Sequence, residues 1–101
     1  MADYFLVELA CGPGWDRTRG RREQDGWDDH AAFMDALAED GFIVMGGPTG
    51  TGEADNTFHV VDAPDEAAIR QRLAEDPWAN DLLIVHSIRP WTVWLRAPGG
   101  R

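Results

Sequence analysis

The order in which two hydrophobic periods alternate is what most constrains this chain. Residues 3–10, DYFLVELA, set Phe5, Val7 and Leu9 against Tyr4, Leu6 and Glu8, the period of two expected of a strand. Residues 27–40, WDDHAAFMDALAED, instead place Trp27, His30, Met34 and Leu37 on one helical stripe, with Phe33 beside it. Asp28 or Asp29 is expected to cap that helix, and Gly41 to end it. FIVMGG (42–47) and NTFHVVDA (56–63) read as strands joined by a turn-rich hairpin. Pro64 suits the first position of a second helix, 64–75, with Asp65 and Glu66 in its first turn and Ile69 and Leu73 turned to the core. The Asp76-Pro77 step stops it, because proline drives its predecessor out of the α region. Residues 81–95 close the chain as a strand, with a bend expected at Pro90. The order βαββαβ predicts a single α+β domain over residues 1–101, a ferredoxin-like sandwich on an antiparallel sheet of order 4-1-3-2.

That topology has two consequences. The first helix begins, and the second ends, at one edge of the sheet, so His30 and Asp76 become neighbours although distant in sequence. The 11–26 loop and the hairpin tip at 48–55 open at the same edge. The helices are expected to cover Phe5, Val7, Leu9, Phe58 and Val60, leaving Tyr4, Leu6, Val61 and alternate residues of 82–93 on the other face. An apolar face of that kind is a liability in a soluble monomer, so a twofold homodimer with stacked sheets is predicted.

Composition narrows the partners. The formal charge is −9, from 18 acids and 9 basic residues, which argues against nucleic acid. All nine basic residues are arginine, so no lysine is present for Schiff-base chemistry. Cys11 is the lone cysteine; no disulfide can form within the chain, which suits a reducing, cytoplasmic setting. The N-terminal segment has an acid where a secretory signal needs positive charge, and its apolar run is too short to span a membrane.

One motif is a decoy. GPTGTGEA (47–54) has the outline of a phosphate-binding loop, but Glu53 stands where a lysine must reach phosphate and Ala54 where a hydroxyl must hold magnesium. Its context is a hairpin rather than strand-to-helix, so its glycines are read as turn residues.

His30 and Asp76 carry the functional reading. His30 lies in the first turn of a helix, where the positive end of the dipole suits a neutral imidazole acting as base. Asp76 lies just past a helix C-terminus, where a carboxylate needs a donor such as an imidazole N–H. So paired, Asp76 fixes the tautomer of His30 and steadies the imidazolium formed when it takes a proton. No serine or cysteine is placed as a nucleophile, so acid–base chemistry fits better than acyl transfer. His59 and His86 share no metal-ligand spacing with His30, and no metal or organic cofactor is predicted. Arg17, Arg19, Arg21 and Arg22 form either a solvated loop or an anion clamp over the pocket. Substrate contacts are expected from Trp78, a pocket wall or a plug at the helix end, and from Tyr4, Ser87 and Arg89 toward the dimer-side face.

DDHAAFMDALAEDGFIVMGGP, FHVVDAPDEAAIRQRLAEDPWAND and VHSIRPW together resemble the YCII-related (YciI-like) family over residues 3–95. The marks are a His opening the first helix, Gly-Pro after the second strand, Asp-Pro-aromatic after the second helix and Pro-aromatic in the last strand. The resemblance implies a dimeric α/β barrel and a His–Asp active-site pair, which falls on His30 and Asp76. It also implies lyase- or dehydrochlorinase-type chemistry for some members. The arginine-bearing 11–26 loop departs from the common pattern, as does Trp78 where tyrosine is frequent, so no phenol donor is carried over. The expected function is a lyase or isomerase acting by proton abstraction on an anionic or phenolic small molecule. The alternatives are a non-enzymatic dimer that binds or senses a metabolite, and a cofactor-free monooxygenase-like protein.

Overall fold

The computed structural model describes residues 3–52 and 54–98. Its elements run β1 (Tyr4–Cys11), α1 (Trp27–Glu39), β2 (Ile43–Pro48), β3 (Thr57–Val61), α2 (Glu66–Leu73) and β4 (Leu83–Trp91), with one 3-10 turn at Arg21–Glu23. The four strands form one antiparallel sheet in the order β2-β3-β1-β4, the ferredoxin-like arrangement that the element order predicts.

The core lies between the sheet and the helices. Val7, Leu9, Val61 and Leu83 rise from the strands to meet Leu37 of α1 and Ile69 and Leu73 of α2, all buried. Full burial of such a side chain contributes about 1.5–3 kcal/mol. Trp27, Phe33 and Met34 pack against this cluster along the stripe that periodicity assigned to the first helix.

Local chemistry adjusts several boundaries. Gly26, at φ 77° and ψ 15°, occupies the N-cap of α1, and Asp28 and Asp29 fall in the first turn rather than capping it. Asp65 caps α2 by accepting the Ala68 N–H at 2.8 Å, so Pro64 precedes that helix instead of opening it. In β4 the irregularity is not a bend at Pro90. Leu9 pairs with Val85 and Glu8 with Ser87, which leaves His86 as the extra residue of a bulge. Pro90 pairs with Phe5 without interruption, tolerated because β4 is an edge strand.

The largest correction concerns β3. Val7 pairs with His59 and Leu9 with Thr57, so Thr57, His59 and Val61 face the helices. Phe58 and Val60 lie on the open face, opposite Glu8 and Leu6, the reverse of the sequence expectation. Both rows of this strand contain apolar residues, so hydrophobicity alone could not choose between them. Register did, and the two polar side chains turned inward lie within hydrogen-bond distance, His59 Nε2 3.2 Å from Thr57 Oγ1.

The 11–26 loop is more ordered than its aperiodic sequence suggests. Gln24 is buried; its side-chain amide donates to the carbonyls of Asp16 at 2.7 Å and Arg19 at 3.0 Å, and its Oε1 accepts the Asp16 N–H at 3.0 Å. This knot holds Trp15 in the core, and Arg21 crosses to the hairpin tip to donate to the Asp55 carbonyl at 2.9 Å. Glu53, the anion of the decoy motif, lies outside the described residues. The surrounding glycines do connect two strands, β2 and β3, and do not lead into a helix.

Candidate active site

Two helix ends build the site. The α1 entry presents His30, whose backbone N–H donates to the Gly26 carbonyl at 3.0 Å in the first helical turn. Past the α2 exit, the Asp76 N–H donates to the Leu73 carbonyl at 3.1 Å, and the Asp76 carboxylate accepts the Trp78 N–H at 2.9 Å across the intervening proline. The two side chains meet: His30 Nδ1 lies 2.9 Å from both Asp76 oxygens. Both residues are 7% exposed, so the couple is screened from solvent. A carboxylate accepts and does not donate, so Nδ1 carries the hydrogen and Nε2 is the acceptor of the neutral ring.

Trp78 backs this couple. It is 1% exposed, and its indole lies flat against the imidazole, with centroids 4.0 Å apart and planes 5° apart. Its Nε1–H donates to the Asp25 carbonyl at 2.7 Å, just before the left-handed Gly26. Trp15 meets Trp78 edge-on and Trp27 meets it at a tilt, each at 5.8 Å. Trp27 and Trp78 therefore pack on the imidazole, with Trp15 edge-on to Trp78, and an imidazolium formed there gains the π-face of Trp78.

In front of His30 lies a pocket of about 180 Å³, lined by Leu9, Trp27, Met34, Thr57, His59 and Leu83, with Gly46–Pro48 and Arg21 at its border. A wider pocket of about 560 Å³ lies between Gly20–Glu23 and the hairpin residues Pro48 and Gly50–Gly52. Arg21, Trp27 and Pro48 line both, so the two form an inner and an outer compartment at the predicted edge. Trp78 lines neither; it is the plug behind His30.

The other expected contacts lie elsewhere. Leu6 pairs with Arg89, Glu8 with Ser87 and Tyr4 with Trp91, a row on the open face of the sheet, across from His30. There Ser87 Oγ donates to Glu8 at 3.4 Å, Asn56 Nδ2 donates to Glu8 at 2.6 Å, and Arg96 donates to the Tyr4 hydroxyl at 3.1 Å. One chain alone does not bring Tyr4, Ser87 and Arg89 to the imidazole.

Arg17 and Arg22 are exposed, whereas Arg19 is tied to Asp16 at 3.0 Å and Asp25 at 3.3 Å. Arg21 is half-buried and packs over Trp15 at 5.0 Å. Cys11 donates weakly to the Ala54 carbonyl at 3.5 Å, and burial pushes its thiol pKa up, away from nucleophilic use.

His59 is the functional candidate that sequence reasoning passed over. It is 8% exposed, and burial above all, with a smaller repulsion whenever the His30 ring is protonated, lowers its pKa to about 4. It lines the inner pocket beside His30, while His86 sits exposed on the β4 bulge. The available signal was its place two residues after Thr57 on a strand beside β1, but reading it required the register. Among the described residues, no three His, Cys, Asp or Glu side chains converge as metal ligands. No helix there is long and apolar enough to cross a membrane.

No curated protein and no solved structure matches the chain. The YCII-related domain matches residues 11–92, from the last residue of β1 to just past β4, and so takes in His30, Asp76, both helices and strands β2, β3 and β4. The chain belongs to the YCII-related family.

Proposed function

We propose that this protein is a small-molecule lyase or isomerase in which His30 Nε2 removes a proton from carbon and Asp76 holds and steadies the ring. The observation that carries this reading is the buried His30–Asp76 contact at 2.9 Å, beside a pocket that His30 lines. The proton passes to Nε2, and the C–H electron pair becomes a new C=C bond as the π pair of an adjacent C=O moves onto its oxygen. Collapse returns the proton to a different carbon, or the electrons expel a leaving group that takes it up. General acid–base catalysis of this kind contributes about 10²–10⁴-fold, and the reaction as read uses no cofactor.

Size and charge narrow the substrate. An apolar cavity of about 150 Å³ accepts benzene, so the inner pocket suits one six-membered ring. Arg21 and Arg22 in the outer compartment favour an anionic or phenolic group on that ring. A twofold dimer through the open face belongs to this reading, supported by Met45, Ile84 and Trp91, which lie exposed around half-buried Leu6, Phe58 and Val60. It would set Tyr4, Ser87 and Arg89 at the subunit interface, in a cytoplasmic protein whose lone cysteine stays reduced. Metabolite binding without turnover is the competing reading.

The test is solvent-deuterium washout. A panel of ring-sized ketones, lactones and halogenated phenols is incubated in D₂O and followed by ¹H NMR. Loss of one C–H signal with wild type, but not with folded His30→Gln or His30→Ala, is expected. Washout that survives both variants removes His30 from the chemistry, and ligands bound without any exchange favour binding alone.

A further inference from the structure

The Thr57–His59 pair takes no part in the proton transfer just described, yet both residues line the same inner pocket. Both are buried, at 7% and 8% exposure. His59 Nε2 lies 3.2 Å from Thr57 Oγ1, and neither His59 Nδ1 nor the Thr57 hydroxyl has another hydrogen-bond partner among the described residues. Nδ1 abuts Gly46, where a Cβ would collide with it, so it faces a Cα–H and not an acceptor.

These contacts decide where the hydrogens sit. A hydrogen on Nδ1 would be a buried donor without an acceptor, at a cost of about 1–3 kcal/mol. A lone pair there keeps a weak contact with the Cα–H of Gly46. The hydrogen therefore belongs on Nε2, where Thr57 Oγ1 accepts it. Once its oxygen accepts from His59, the hydroxyl of Thr57 has its own hydrogen left for the pocket. That pocket then offers an acceptor, His30 Nε2, and a donor, Thr57 Oγ1–H, around apolar walls.

We propose that Thr57 is the oxyanion-holding residue of this site, its hydroxyl oriented by His59 and donating to the oxygen that gains charge as His30 removes the neighbouring proton. The inference rests on the reading of His30 as base and deepens it. The substrate class is a ring-sized molecule with a carbonyl whose neighbouring carbon carries an acidic C–H. As that C–H bond breaks, the proton goes to His30 and its electron pair forms C=C. The π pair of C=O moves onto oxygen, which accepts the hydrogen bond of Thr57; the reverse flow completes isomerisation or expels a leaving group. Thr57 is a catalytic residue in this scheme and His59 a positioning residue.

The test uses 4-fluorophenol, whose oxygen mimics the developing oxyanion, with fluorobenzene as the apolar control, both followed by ¹⁹F NMR. Thr57→Val keeps the shape and removes the hydroxyl; Thr57→Ser restores it. Thr57→Val is expected to weaken 4-fluorophenol at least about tenfold and leave fluorobenzene unchanged, with Thr57→Ser close to wild type. Histidine ¹⁵N spectra should place the His59 hydrogen on Nε2, and His59→Gln should weaken 4-fluorophenol several-fold without altering the fluorobenzene control. Equal 4-fluorophenol affinity in wild type and Thr57→Val overturns the inference, as does a hydrogen on Nδ1 of His59 or wild type that binds no 4-fluorophenol. The ionisation of bound 4-fluorophenol separates the two readings. If it persists unchanged in His30→Gln while Thr57→Val still weakens binding, the His30 reading fails and the Thr57 donor stands.

Discussion

The two faces of the sheet are made by alternate residues of the same strands, yet they solve the burial problem differently. On the helix-covered face Val7, Leu9 and Val61 are closed over by α1 and α2, and the polar residues among them answer one another: His30 with Asp76, His59 with Thr57. On the open face Leu6, Phe58 and Val60 surround Glu8, whose carboxylate is held by Asn56 and Ser87. Among the described residues, the first face leaves one buried side-chain nitrogen without a partner, Nδ1 of His59 against Gly46. The second carries apolar area out to exposed Met45, Ile84 and Trp91, and only another surface would bury it. The covered face thus holds the His30–Asp76 contact within one chain, while the open face holds the exposed apolar area.

Neighbouring valines offer the sharpest contrast. Val61→Asp places an unpaired charge in the core and should abolish folding, a loss of several kcal/mol against a domain stability of about 5–15 kcal/mol, read by circular dichroism. Val60→Asp, one residue away on the open face, should leave the chain folded and weaken self-association at least about a hundredfold, read by analytical ultracentrifugation. If both variants unfold alike, the open face is not a free surface.

Asp76→Ala should follow in size. It strands the buried Nδ1–H of His30 and the Trp78 N–H together, costing about 3–5 kcal/mol in denaturant unfolding. Asp76→Asn should cost less, because one amide oxygen still accepts.

The acid limb of stability reports on the covered face. His59 in the folded state has a pKa of about 4 against 6.5 in the unfolded chain, so above pH 6.5 both states hold it neutral and it contributes no pH dependence. As pH falls from 6.5 toward 4 the unfolded state takes up the proton and the folded state does not, so stability drops by up to about 3 kcal/mol and then levels off. His59→Gln should flatten that limb in pH-dependent unfolding.

Smallest of all is the effect of the rim. Arg22→Ala should weaken benzoate binding about threefold to fivefold at low salt, with the difference fading as ionic strength rises.

The sequence carried the element order, the antiparallel sheet and the meeting of His30 with Asp76, because each follows from periodicity, capping chemistry and the direction of travel of successive elements. It did not carry the facing of β3, since rows 57-59-61 and 58-60 are both partly apolar and only the pairing with β1 separates them. The β4 bulge was invisible for a related reason: an extra residue at His86 changes facing without changing composition. The anchoring of the 11–26 loop depends on one buried amide, Gln24, bonding to backbone that no local pattern announces. His59 was legible as a residue and not as a pocket residue, because a register that periodicity does not reveal brings it beside His30.

In the proposed chemistry His30 presents a bare Nε2 to the inner pocket while Asp76 holds the hydrogen on Nδ1. Long-range ¹⁵N–¹H correlation of the histidine rings tests it directly, without and with 4-fluorophenol. The expected result is a His30 ring protonated on Nδ1, with an Nε2 resonance that moves on ligand addition while that of His86 stays still. A hydrogen on Nε2 of His30, or a ligand that leaves its resonance in place, contradicts it.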